Sequence, residues 1–242
     1  MEAFRQGIEL GADAIEFDVH ATRDGGIVVV HDPDVSRTTN GTGAIAELAL
    51  RDLSRLDAGY RFTADSGRTF PWRDRGITIP TLEEVLRAYP ETSMIIEVKT
   101  PAASAGCKRL LERHAMGGRV VVGSFSAEAL APFRGSRVAH GASRRDVIRL
   151  FARAAFPGAP LRLPYQALFI PPSFRGLPLP VLRFAKMARH AGVPTHVWTV
   201  DDPAVARRYW DGGVNAIISN EPSSILAAAG RFPRPPIPAS VS

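Results

Sequence analysis

The sequence has one cysteine, Cys107. No intrachain disulfide can form, which excludes the small disulfide-stapled secreted folds and predicts a reducing, cytoplasmic setting. No apolar run approaches the ~20 residues that a membrane-spanning helix needs. The opening residues, Met1-Glu2-Ala3-Phe4-Arg5, lack the basic start and apolar stretch of a secretory signal. Internal repeats are absent, and no basic helix is interleaved with aromatics, so nucleic acid is not expected as a partner. Acid is in short supply: 30 Lys and Arg face 24 Asp and Glu, a formal net charge of +6. The excess is nearly all arginine and reads as scattered, with Arg144-Arg145 and Arg207-Arg208 the only doublets, a pattern of a solvated basic surface.

What is present describes a soluble globular chain. Its 242 residues, 45% hydrophobic and 22% charged, are enough for one large domain with a full core. Residues 2–10 carry an apolar face through Phe4, Ile8 and Leu10 and stop at Gly11, which predicts a helix. A hairpin follows over 14–31, with Asp24-Gly25 between two apolar runs. Residues 33–78 are turn-rich and irregular around a short helical piece at 50–56, and read as an inserted cap. Thr81-Leu82-Glu83-Glu84 carries a capping signal for a helix to about Ala88.

Beyond that point the pattern is regular. Strand-like runs at 94–98, 120–123, 137–140, 167–170, 195–200 and 214–219 alternate with helix-like segments at 104–114, 126–132, 143–154, 180–190 and 202–211. This alternation predicts an α/β fold with a parallel sheet. With the strand at 14–19 the count is seven. The arm at 27–31 cannot be an eighth, because its turn is too short for a parallel crossover. A (β/α)8 TIM barrel needs eight, so the reading is a barrel that lacks its first strand and opens on the helix after it. The domain is expected over 1–230, and Pro233, Pro235, Pro236 and Pro238 predict a disordered tail over 231–242.

The chemistry concentrates at Glu16 and Asp18, two apart on a predicted strand and so on one face. If Asp24-Gly25 is the centre of the turn, Asp18 lies opposite His31. Two carboxylates that close repel unless a cation or proton joins them. Glu97, in Ile96-Glu97-Val98-Lys99 at a strand end, is a third carboxylate, and three oxygen ligands suit one divalent cation, Mg²⁺ or Ca²⁺. Lys99 offers a fixed positive charge for an anion. Trp198, in His196-Val197-Trp198-Thr199-Val200, is either core filler or a wall against an apolar part of a substrate. His20, two residues from Asp18, shares its face and would line the site if the strand stays regular, but at the turn it is expected to face water; His114, His140, His190 and His196 have no nameable partner.

In this order the motifs resemble the glycerophosphodiester phosphodiesterase family. The pieces are Gly11-Ala12-Asp13-Ala14-Ile15-Glu16-Phe17-Asp18-Val19, Thr22-Arg23-Asp24-Gly25, Val30-His31-Asp32, Arg37-Thr38-Thr39-Asn40-Gly41-Thr42-Gly43, Leu56-Asp57-Ala58-Gly59, Ile79-Pro80-Thr81-Leu82-Glu83-Glu84-Val85-Leu86, Ile96-Glu97-Val98-Lys99, Ser124-Phe125, Val197-Trp198-Thr199-Val200 and Gly213-Val214-Asn215-Ala216-Ile217-Ile218-Ser219-Asn220-Glu221-Pro222. The resemblance implies a phospholipase-C-like TIM barrel that cleaves a small-molecule glycerophosphodiester to glycerol 3-phosphate and an alcohol. It implies Glu16, Asp18 and Glu97 as metal ligands, His31 and Lys99 as catalytic residues, Lys99 as a phosphate contact, and Trp198 as a substrate border. The family opens with a His-Arg-Gly strand and a Pro-Glu-Asn loop, which this sequence does not contain, so the expectation is a metal-dependent hydrolase of this family whose given sequence starts late. Two rival readings therefore stand beside it: a metal- or phosphodiester-binding protein without turnover, and a related enzyme of larger lipid phosphodiesters.

Overall fold

Residues 1–154 and 162–231 are described by the computed structural model; the expected Pro-rich tail, apart from Arg231, lies outside the described residues. Helix α1 (Glu2–Leu10) stops at Gly11, whose φ of 103° only glycine adopts readily, and the N–H groups of Gly11 and Ala12 close the last turn on Ile8 and Gly7. Strand β1 (Ala14–Ala21) and arm β2 (Ile27–Val29) form the expected antiparallel hairpin. Its register differs from the expected one by one residue. Val19 faces Val29, His20 faces Val28, and the Val30 N–H donates to the Asp18 carbonyl, so Val30 takes the place opposite Asp18 that was expected for His31.

The turn explains the shift. Thr22 pairs with Gly26 (2.8 Å), leaving three loop residues rather than two, and Gly25 takes the left-handed position at φ 82°. Thr22 Oγ1 accepts from Gly26 N–H and donates to Asp24 Oδ1, and that carboxylate also accepts the Leu50 N–H. A three-residue loop with a left-handed glycine displaces the register by one step.

The next elements are α2 (Leu50–Leu53), α3 (Leu82–Ala88), β3 (Ser93–Val98), α4 (Pro101–Arg113), β4 (Val120–Gly123), β5 (Ala139–His140) and α5 (Arg144–Ala154). They are followed by β6 (Leu168–Ile170), β7 (Ser173–Phe174), β8 (Leu177–Pro178), α6 (Val181–His190), β9 (Thr195–Val197), α7 (Pro203–Asp211), β10 (Ala216–Ile217) and α8 (Pro222–Ala228). All seven expected strands are present. The capping box on α3 is complete: Thr81 Oγ1 accepts from Glu84 N–H, and the Glu84 carboxylate accepts from Thr81 N–H. The helix expected at 126–132 is not. Ser124 and Ser126 hydroxyls capture the Ser126 and Ala129 N–H groups, and only a 3-10 turn forms around Pro132. The β7–β8 hairpin and α8 were not expected from the sequence.

The chain divides into two compact units, and β1 and β3 run through both. In the unit of residues 17–91 and 96–138, β2 lies beside β1, β1 beside β3, and β3 beside β4. Residues 33–78 build a core with the arm: Val35, Ile45 and Leu53 bury themselves with Val28 and with Ile79, which follows the segment. Asp57 locks this segment. Its carboxylate accepts the Gly59 and Asp74 N–H groups, while its own N–H donates to Asn40 Oδ1. In the other unit, β6, β9 and β10 are parallel neighbours, and a bridge from Gly141 to Ala167 extends β5 alongside β6. Phe184, Leu168, Val197 and Tyr209 fill its core between sheet and helices. Among the described residues no helix is long and apolar enough to cross a membrane.

Candidate active site

Alternation along β3 buries Met94, Ile96 and Val98 on one face and leaves Glu97 and Lys99 on the other. The Lys99 N–H donates to the Val19 carbonyl, which brings the end of β3 against β1. Lys99 Nζ then stands 2.8 Å from Asp18 Oδ1 and 3.1 Å from Glu97 Oε1. Glu16, two residues before Asp18 on the same face of β1, completes the group: one carboxylate oxygen each from Glu16, Asp18 and Glu97 lie within 4.8 Å of one another. The sequence expectation that these three acids and Lys99 converge is matched by their positions.

Electrostatics follow from this crowding. Burial pushes the Glu97 carboxyl up, against the pull of Lys99. Burial works to lower Lys99, but the carboxylates of Asp18 and Glu97 outweigh it and hold the ammonium above its ordinary value. Three carboxylates against one ammonium leave two negative charges uncompensated. An all-oxygen donor set with that charge fits a hard divalent cation.

His31 lies just past β2, with its side chain largely exposed. Its Nδ1 is 2.7 Å from Asp32 Oδ1, and Arg37 pairs with the other Asp32 oxygen. Arg37, with His31 second, pulls the Asp32 carboxyl down to about 2. His31 does not take the expected place opposite Asp18, where Val30 sits instead. Trp198 follows β9 and donates its N–H to the Ile170 carbonyl (3.2 Å), at the C-terminal end of its own sheet.

Sequence reasoning missed three residues. His20 was expected to face water and is buried instead; its Nε2 lies 3.2 Å from the His31 carbonyl. Burial holds its imidazole below the ordinary value, with the His31 carbonyl opposing and Lys99 assisting. The signal was available, because His20 is two residues from Asp18 on one strand and so shares its face. For Asp32 and Arg37 the sequence offers no signal beyond their place in the family motifs. Of the other histidines, His114 meets Glu83 at 3.2 Å and His140 and His190 meet backbone carbonyls, whereas His196 packs edge-on against Phe169 with its Nδ1 unpartnered among the described residues.

Comparisons with known proteins identify relatives of the whole chain. A glycerophosphodiester phosphodiesterase of Caldanaerobacter subterraneus subsp. tengcongensis is 29% identical over 242 aligned positions, covering 93% of this chain and 88% of the relative. One of Bacillus subtilis is 30% identical, covering 88% and 75%. The crystal structure of a glycerophosphodiester phosphodiesterase from Agrobacterium tumefaciens superposes with a TM-score of 0.71 at 25% identity, covering 92% of this chain and 90% of that one. The fold is therefore the α/β fold of these TIM-barrel enzymes. The family profile described as glycerophosphoryl diester phosphodiesterase matches residues 1–224, and the chain belongs to that family.

Proposed function

We propose that the protein hydrolyses small glycerophosphodiesters to glycerol 3-phosphate and an alcohol. The observation that carries this reading is the Lys99 ammonium held between Asp18 and Glu97, with Glu16 alongside. Glu16, Asp18 and Glu97 would hold one divalent cation, Mg²⁺ or Ca²⁺, which when bound supplies positive charge to the phosphoryl oxygens. Lys99 contributes a second positive charge and orients the diester. Asp32 at Nδ1 keeps that nitrogen protonated and leaves His31 Nε2 to move the proton that the departing alcohol oxygen needs when its P–O bond breaks. Trp198 borders the substrate. The Cys107 thiol is no nucleophile: it is fully buried and pushed up to about 12. A single sequestered thiol also fits a reducing compartment such as the cytoplasm.

The test is release of glycerol 3-phosphate from glycerophosphocholine with Mg²⁺ or Ca²⁺ present. Wild type should turn over, and Glu97→Ala and Lys99→Met should not. Unchanged rates in both variants would overturn the assignment of the site. A folded, metal-binding wild type with no turnover of any glycerophosphodiester would leave a binding protein.

A further inference from the structure

The surplus charge is not spread as its scatter along the sequence suggests. Between residues 144 and 189 the chain has nine Lys and Arg and one acid, Asp146. Asp146 is buried, its Oδ2 accepting the Ser143 N–H (3.0 Å) and hydroxyl (2.5 Å), and its Oδ1, 3.6 Å from the Arg149 guanidinium, compensates that one arginine.

Helix α5 in this stretch has two apolar sides. Leu150, with Val147, packs into the core. Ile148 and Phe151, three apart and so neighbours on the helix surface, are 59% and 57% exposed. Arg144, Arg145, Arg149 and Arg153 run along the same helix. The β7–β8 hairpin adds to this surface. Its two-residue turn, Arg175-Gly176, has positive φ at both positions (50° and 79°), the twist that a tight hairpin needs. Phe174 and Leu177 are cross-strand partners, 41% and 71% exposed. The Arg144 guanidinium lies 5.4 Å from the Phe174 ring and that of Arg175 lies 5.7 Å from it, so the hairpin stands at the start of α5.

We propose that α5 and the β7–β8 hairpin dock on an anionic lipid bilayer. Large apolar side chains set among arginines match the boundary between acyl chains and charged headgroups: the rings and aliphatic groups enter, and the guanidinium groups meet phosphates. Charge decides between partners. A second copy would bring one cationic face against another. Nucleic acid would take the arginines but leave Ile148 and Leu177 unused. The proposal does not depend on the reading of the active site.

Co-sedimentation with vesicles tests it. The protein should bind mixed phosphatidylcholine–phosphatidylglycerol vesicles far more strongly than phosphatidylcholine alone, and raising the salt should release it. The pair Arg145→Gln/Arg175→Gln should weaken binding by roughly 25-fold, about fivefold per cation lost. The pair Phe174→Ser/Leu177→Ser should reduce binding further at high salt, where only the apolar contribution survives. All four positions are exposed, so melting temperatures should stay near that of wild type, and a circular dichroism melt confirms this for each variant. Equal binding to neutral and anionic vesicles, or full binding by both variants, would overturn the proposal. So would tighter retention on duplex DNA than on anionic vesicles, or loss of exposed apolar surface to a lipid-free dimer.

Discussion

Asp32 Oδ1 stands 2.7 Å from the Nδ1 of its neighbour His31, and Arg37 clamps the second oxygen. With its carboxyl near 2, Asp32 stays ionised throughout the neutral range. His31→Ala should lower kcat for glycerophosphocholine by ~10²–10⁴-fold. Asp32→Ala should lower it less and leave KM nearly unchanged, since it orients the imidazole without touching substrate. Steady-state kinetics of the two variants check this; a KM effect alone would place Asp32 in substrate binding.

Metal binding should depend on the acids and be opposed by the lysine. Isothermal calorimetry with Ca²⁺ should show one site in wild type and little binding in Glu97→Ala. Lys99→Met removes a positive charge 2.8 Å from Asp18 and 3.1 Å from Glu97, so it should bind Ca²⁺ more tightly while losing activity. Equal affinity in all three proteins would remove these carboxylates from the metal site.

His196 should make the fold sensitive to acid. Burial pushes its imidazole down to about 4, its Nδ1 has no hydrogen-bond partner among the described residues, and its ring meets Phe169 edge-on at 4.9 Å. The unfolded value is about 6.5. A folded-state value below the unfolded one means that the neutral ring's contribution is complete above pH ~6.5 and is lost as the pH falls toward 4, about 3 kcal/mol in all. Thermal melts of wild type and His196→Phe at pH 7 and pH 4.5 read the difference: the wild type should lose more of its Tm than the variant.

Gly59 should not tolerate a side chain. An added Cβ would lie 2.2 Å from the Trp72 carbonyl oxygen, a backbone atom that cannot swing away. Gly59→Ala should therefore destabilise the 33–78 segment by ~1–3 kcal/mol, seen as a lower urea midpoint. An unchanged midpoint would show that this segment unfolds apart from the region the probe reports.

The sequence by itself was enough for features that depend on near neighbours. Period-two alternation placed Glu16 with Asp18 and Glu97 with Lys99, and hydroxyl-to-carboxylate spacing located the start of α3. Alternating apolar runs found all seven core strands. These signals are local because alternation and capping act over two to four residues. Tertiary structure decided what local pattern leaves open. The hairpin register turned on whether Thr22 pairs with Gly26, a hydrogen bond that Asp-Gly alone does not specify, and the answer moved His31 by a residue. His20 became buried because of what packs around it, not because of its neighbours in sequence. Arg144 and Arg175, far apart in the chain, meet at the Phe174 ring because the start of a helix and a hairpin come together there. Distance along the chain says little about distance in space once loops close, and burial and charge are properties of space.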